Sequence, residues 1–211
     1  SIPFVQLVTG PMSTGSFRGE RVGACTDCRR LWGDFRAGRL TEDEISEAND
    51  ALVPTVGTCG VMGTASTMAL LVEALGLAPL GSATAPAVSA DRRRIAEQAG
   101  YLAVDIAKRH CHPADILTLA SFENALRVLL AVGGSTNAII HLTAMAGRLG
   151  IKLSLDRLDE LSKQTPVIVD LKPSGTGYME DLHAAGGSVR ILSALSGSLD
   201  MQAMTVTGQT L

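Results

Sequence analysis

Chemistry in this chain begins with a thiol on a glycine loop. Cys59 lies in Gly57-Thr58-Cys59-Gly60-Val61-Met62-Gly63-Thr64-Ala65-Ser66-Thr67-Met68, a stretch that opens directly into an apolar run. Small flanking residues let the backbone approach a bulky inorganic group, and Thr64 and Ser66 are placed to accept hydrogen bonds as helix N-caps. One cysteine cannot hold a metal cluster alone. Cys25 and Cys28 form a C-x-x-C pair, the spacing shared by structural zinc sites and redox dithiols. Zinc would need two further ligands. The triplet His110-Cys111-His112 contains suitable atoms, but adjacent residues at a helix end point in different directions. The plainer reading of Cys25 and Cys28 is a pair of partly buried thiols.

A second candidate is Gly133-Gly134-Ser135-Thr136-Asn137, a polar turn leading into a helix start. Unpaired N–H groups and the helix dipole there favour a carboxylate or phosphate, against the alternative of an ordinary capped helix–helix turn. Neither glycine turn matches the dinucleotide fingerprint or the phosphate loop of nucleotide-binding proteins. His183 follows the acidic pair Glu180-Asp181 and the stretch Asp170-Leu171-Lys172-Pro173-Ser174-Gly175, where a strand end would place a ligand site; a salt-bridged loop is the competing reading. His141, between Ile140 and Leu142, reads as a core or interface residue. Arg29-Arg30 and Arg92-Arg93-Arg94 read as solvated helix faces, with an anion clamp as the minority reading.

The elements that must position these groups are mostly helical. Helices are expected over 28–35, 41–50, 64–75, 91–109, 122–132, 137–149 and 155–163, with another led by Gly186 and running to Leu195. Thr41 and Glu44 form a capping box for the second of these. Ile95, Ala99, Leu102, Val104 and Ile106 supply the buried stripe of the fourth. Buried strands are expected over 2–8 and 166–170, and 15–23 reads as loop. The stretch 78–90, rich in Pro, Gly, Ser and Ala, reads as a functional loop. This pattern predicts an α/β fold: a layered, helix-rich domain around a small, mainly parallel sheet.

Composition narrows the class. A hydrophobic fraction of 46% makes a disordered chain untenable, and with aromatics at 3% the core must be built from Leu, Val, Ile, Ala and Met. A net charge of −3 with interspersed signs gives no electrostatic footprint for nucleic acid or an anionic membrane. No apolar run approaches the ~18 residues needed to span a bilayer, and no signal-peptide pattern opens the chain, so a cytoplasmic protein is expected. Four cysteines are too few for a disulfide scaffold at this length.

Four ordered segments, 57–68 (GTCGVMGTASTM), 133–142 (GGSTNAIIHL), 170–187 (DLKPSGTGYMEDLHAAGG) and 205–211 (TVTGQTL), together resemble the dihydroxy-acid and sugar-acid dehydratase family. The resemblance runs from Gly10-Pro11-Met12 to Leu211. It implies that residues 1–211 are a single partial domain, the latter part of the family's N-terminal, cluster-binding domain, with the C-terminal domain absent.

The resemblance further implies an iron–sulfur hydro-lyase that converts a 2,3-dihydroxy acid to a 2-keto acid. A cluster iron acts as Lewis acid on the departing C3 hydroxyl, and Mg²⁺ in the complete enzyme binds the substrate carboxylate and C2 oxygen. A 2Fe-2S cluster is expected over 4Fe-4S. Cys59 matches the last of three widely spaced cluster cysteines, the other two lying upstream of Ser1; Cys25 and Cys28 match no ligand position. No catalytic residue falls within the chain, while Ser135, Thr136, Asn137 and His183 are candidate substrate-site residues. Gly23-Ala24-Cys25-Thr26-Asp27, 63–68 and 141–150 resemble pentonate-type dehydratases, which favours an aldonic acid giving a 2-keto-3-deoxy acid. The alternatives are the dihydroxy-acid dehydratase of branched-chain amino-acid biosynthesis, an inactive truncated homologue or scaffold, and a zinc module. A homodimer or homotetramer is expected, with a small hydroxy acid as partner and neither nucleic acid nor membrane.

Overall fold

The computed structural model describes residues 2–211. In chain order its elements are β1 (Gly15–Phe17), β2 (Glu20–Val22), α1 (Cys25–Arg36), α2 (Glu42–Leu52), α3 (Thr64–Ala74), α4 (Ala90–Lys108), α5 (Pro113–Ile116), α6 (Leu119–Ala131), α7 (Asn137–Arg148), α8 (Leu155–Gln164), α9 (Met179–Ala184) and α10 (Gly187–Leu195). The helix-rich class with a small sheet is what the sequence pattern calls for. Pairing direction differs from expectation. Among the described residues the one ladder is the antiparallel hairpin β1–β2, with Ser16 opposite Arg21, and parallel pairing is confined to isolated bridges between Pro11 and Thr58 and between Leu171 and Gly177. The hairpin occupies the stretch expected to be loop.

Among the described residues, the two larger of three hydrophobic clusters organise the fold, the third being Ala24, Val61 and Tyr178. The larger packs α3 against α6, with α7, α8, α9 and α10 around them, and buries Leu70, Leu71, Phe122, Val128, Leu142, Leu161 and Met179. Each such side chain removed from water contributes roughly 2 kcal/mol before entropy is counted. The smaller core joins the hairpin to α1 and α2 through Phe17, Val22, Leu31, Ile45, Ala48 and Leu52. Trp32 and Phe35, edge to face at 5.6 Å between ring centroids, pack against it.

Local signals account for most helix boundaries. The Oγ1 of Thr41 accepts from the Glu44 N–H at 3.3 Å, and a Glu44 carboxylate oxygen accepts from the Thr41 N–H at 2.8 Å, which is the expected capping box. Ser89 and Ser154 cap α4 and α8 one-sidedly, their hydroxyls accepting from the Arg92 and Arg157 N–H groups. The expected strands at 2–8 and 166–170 do not form. Gln6 N–H donates to Leu77 O and Ile168 N–H to Ala131 O, but neither segment has a ladder partner, and Ile2 and Val167 are exposed. An apolar run of that length is equally compatible with an extended strap over a helical core. On α4, Val104 faces solvent and departs from the expected buried stripe, whereas Ala99 and Ile106 are buried.

Candidate functional site

The loop carrying Cys59 is held on two sides by backbone bonds. Thr58 donates to Gly10 O and Met12 donates to Thr58 O, at 2.9 and 2.8 Å. Met62 donates to Lys172 O and Met179 donates to Gly60 O, both at 2.8 Å. The segments 10–12 and 172–179 therefore bracket the loop. At Gly57, φ is +132° and an added Cβ would overlap the Met12 backbone, so only glycine allows this approach. The result is an exposed, unbonded thiol on a loop whose neighbours Gly60, Val61 and Met62 are buried. Contrary to expectation, Thr64 and Ser66 do not cap α3. Its N-cap is Gly63 with no side-chain cap bond, and the Ser66 hydroxyl instead donates back to Cys59 O at 3.4 Å.

The start of α1 faces the same place. Cys25 occupies the first helical position and Cys28 the fourth, and both line, with Cys59, Met12, Asn49 and Leu52, a cavity of about 280 Å³ at the edge of the smaller core. Sequence spacing gave no hint of this proximity, because it depends on how the hairpin and α2 set α1 against the loop. All four cysteines are free.

Asp27, between the two thiols, is the hub of a buried polar network. Its Oδ2 accepts from the Gly23 and Ala24 N–H groups at 3.1 and 2.9 Å and from the Tyr178 hydroxyl at 2.8 Å, while Lys172 Nζ donates to Oδ1 at 2.9 Å. Lys172 Nζ also donates to the Tyr178 hydroxyl at 2.7 Å. Burial pushes the Asp27 carboxyl up, but the bonds from Lys172, Tyr178 and Ala24 outweigh it and leave the pKa below its ordinary value. Burial pulls Lys172 down, and its bonds to Tyr178 and Asp27 leave it raised. A layer outside this hub, Arg21 pairs with Asp181 at 2.8 Å and with Glu180 at 3.3 Å, and Thr14 donates to Glu180 at 2.6 Å. These bonds tie the hairpin to α9 and so fix α1 and the 172–179 segment around the Cys59 loop.

On the other side of α3, the sequence candidates Ser135 and Asn137 meet its first turn. Thr64 Oγ1 lies 3.0 Å from Ser135 Oγ and accepts from Asn137 Nδ2 at 2.9 Å, and Ser135 N–H donates to Thr67 Oγ1 at 3.0 Å. Gly134 makes the contact possible, since a Cβ there would sit 2.7 Å from Thr67 Cγ2. The N-termini of α3 and α7 therefore converge just beyond the Cys59 loop, with Thr136 exposed as the N-cap of α7. Two positive helix ends and a set of neutral hydroxyl and amide groups suit an anionic ligand.

His183 is not brought to this cluster. Its Nδ1 lies 3.4 Å from Thr84 Oγ1 and its Nε2 3.5 Å from Asp91, joining α9 to the 78–90 loop and the start of α4. His141 is exposed and so is not a core residue. Arg29 and Arg30 are solvated as expected, but Arg92 is buried: its guanidinium donates to Val8 O at 2.8 Å, Ser82 O at 2.6 Å and Ala85 O at 2.5 Å. Nor do His110 and His112 join Cys25 and Cys28; among the described residues no group of three or more His, Cys, Asp or Glu side chains converges to hold a metal ion.

The fold and site thus define a helix-rich domain that presents the free Cys59 thiol, with Cys25 and Cys28 on the same cavity, rather than a self-contained metal site, beside a convergence of helix N-termini. Residues 1–211 match the family described as dihydroxy-acid/6-phosphogluconate dehydratase, N-terminal, and the chain belongs to that family. It is similar to the dihydroxy-acid dehydratase of Endomicrobium trichonymphae, at 43% identity over 208 residues, covering 99% of this chain and 38% of that protein. It is similar also to those of Natronomonas pharaonis, 42% identical over 212 residues (100% of this chain, 36% of that protein), and Metallosphaera sedula, 41% over 213 residues (100% and 38%). The chain spans less than two-fifths of the length of these relatives. Their shared name turns the preference away from the pentonate-type reading that 23–27, 63–68 and 141–150 suggested.

Proposed function

We propose that this chain forms part of a hydro-lyase that removes water from a 2,3-dihydroxy carboxylic acid to give a 2-keto acid, with the branched-chain dihydroxy acids as substrates in preference to aldonic acids. The observation that carries the reading is the exposed Cys59 thiol, held on a loop fastened on both sides and opening on a cavity. Relatives named dihydroxy-acid dehydratase, 41–43% identical over 99–100% of the chain, support the substrate class.

The residues present fit an iron–sulfur cluster as one ligand of several. Cys59 is a soft, free and accessible donor, and the glycines around it leave room for a bulky group. Cys59 would supply one thiolate to a 2Fe-2S cluster, with the remaining ligands and a Mg²⁺ site contributed by residues outside 1–211. When bound, such a cluster supplies a Lewis-acidic iron that makes hydroxide a competent leaving group. This chain's own part is positional. Asp27, Lys172 and Tyr178 hold the loop that presents the thiol, while Ser135, Asn137 and the exposed Thr136 offer neutral donors at two helix N-termini to the substrate carboxylate. His183, held by Thr84 and Asp91, serves as a support on the α9 side. The protein is proposed to act in the cytoplasm as a homodimer or homotetramer. No helix among the described residues is long and apolar enough to cross a membrane.

The test is a substrate panel on the complete polypeptide, reading 2-keto acid formation from 2,3-dihydroxyisovalerate and a set of aldonic acids. Turnover of the branched-chain substrate, with aldonic acids turned over far more slowly, is expected. The reverse preference would restore the sugar-acid reading, and inactivity on all would return the chain to a scaffold.

A further inference from the structure

Cys25 and Cys28 are left unused by the proposed chemistry, yet their placement is specific. They stand at the first and fourth positions of α1, and both line the cavity that Cys59 also lines. Residues three apart at a helix start lie on one face, with Cβ atoms about 5–6 Å apart. A disulfide needs a Cα separation of roughly 4.4–6.8 Å and a somewhat shorter Cβ separation, which small rotations in a first helical turn supply. The Cys28 N–H donates to Ala24 O at 3.0 Å, so the backbone of this first turn is already set with both thiols on it. Accessibility differs between the two: Cys25 is exposed and Cys28 half-buried. That is the order required of an attacking thiol and a resolving thiol. Asp27, fixed by Lys172, Tyr178 and two backbone N–H groups, anchors the turn between them.

We propose that Cys25 and Cys28 form a reversible dithiol–disulfide pair, a modification site that reacts with low-molecular-weight disulfides in preference to Cys59 on the same cavity. The thiolate of Cys25 attacks one sulfur of the external disulfide, forming a mixed disulfide and releasing one small thiolate. Cys28 then attacks the Cys25 sulfur, closing the internal disulfide and releasing the second. The two protein thiols are oxidised, the external disulfide is reduced to two thiols, and the two protons lost by the cysteines pass to the departing thiolates. The proposal does not rest on the dehydratase reading, since it uses Cys59 only as a neighbouring thiol.

The test incubates the native protein anaerobically with oxidised glutathione, blocks remaining thiols with an alkylating reagent and maps the tryptic peptides by mass. Cleavage after Arg21 and Arg29 leaves Cys25 and Cys28 in one peptide. The expected result is that peptide lighter by two hydrogens and unalkylated, with Cys59 and Cys111 alkylated, and full recovery of both thiols after dithiothreitol. In Cys28→Ser the expected product is a stable glutathione adduct on Cys25, while Cys59→Ser leaves the disulfide unchanged. Glutathione retained on Cys25 of the unsubstituted protein, a disulfide joining Cys59 to either residue, or no reaction would each overturn the proposal.

Discussion

At the scale of single residues, Asp27 carries more of the site than its neighbours' chemistry suggested. A nearly buried carboxylate that accepts from two backbone N–H groups, a phenol and an ammonium cannot be truncated without stranding those donors. Asp27→Ala is expected to cost about 3 kcal/mol, the range for breaking a buried charge pair from one side, measured by urea unfolding of the chain. The pH dependence follows from the two shifts. Asp27 is lowered from 3.8, so its contribution is complete above that value and is lost as pH falls through the lower folded pKa. Lys172 is raised from 10.5, so its contribution is complete below that value and is lost as pH rises through the higher folded pKa. Stability from this pair therefore has a plateau between those limits, and Asp27→Asn should flatten its acid edge. Unfolding midpoints across pH 2 to 6, roughly spanning that edge, would show an unchanged slope if the network were incidental. Ser135 and Asn137 act at the same scale. If they receive the substrate carboxylate, Asn137→Ala in the complete enzyme raises KM by about tenfold, the loss of one hydrogen bond to a charged group, with kcat less affected.

Helices and the straps between them decide where those residues stand. Glu73 on α3 is fully buried and accepts from the Gly81 N–H at 3.0 Å, the Ser82 hydroxyl at 3.1 Å and the Ala83 N–H. Arg92 at the start of α4 gathers the carbonyls of the same loop and of Val8. Together they fold 78–90 onto the larger core as a structural clasp. Burial raises the Glu73 pKa despite the bonds it accepts, so its ionisation above the ordinary value of 4.5 costs stability that the clasp must offset. Glu73→Ala strands three donors and should destabilise the chain by about 3 kcal/mol in urea unfolding, with loop 78–90 gaining amide hydrogen exchange. Little of this was legible in sequence. Arg92 sat in a run of three arginines, and only the loop's return over α4 buries it. α9 escaped notice because it has six residues and opens at Tyr178, with the Asp181 carboxylate closing back on the Tyr178 N–H. By contrast, the Thr41–Glu44 box and the glycine stop after α3 are local signals, and the helices they bound are where the pattern placed them.

For the whole molecule, the two cores meet around the Cys59 loop, and that arrangement explains which parts of the site could be foreseen. The thiol on its glycine loop and the turn at 133–137 were visible because their residue types are adjacent in sequence. The approach of Cys25 and Cys28 to Cys59 was not, since it needs α1 carried by the smaller core and the loop carried by the larger. Short segments leaned to the aldonic-acid type, whereas similarity spread over the whole chain is to proteins named dihydroxy-acid dehydratase and favours the alternative reading. Cys59 is proposed as a ligand to an iron–sulfur cluster in the complete polypeptide. Iron and acid-labile sulfide content after anaerobic reconstitution tests this, for the unsubstituted protein and for Cys59→Ser, with circular dichroism confirming that both are folded. The substitution is expected to abolish stable cluster uptake while leaving the helical signal intact; undiminished iron and sulfide in folded Cys59→Ser would rule out the ligand role.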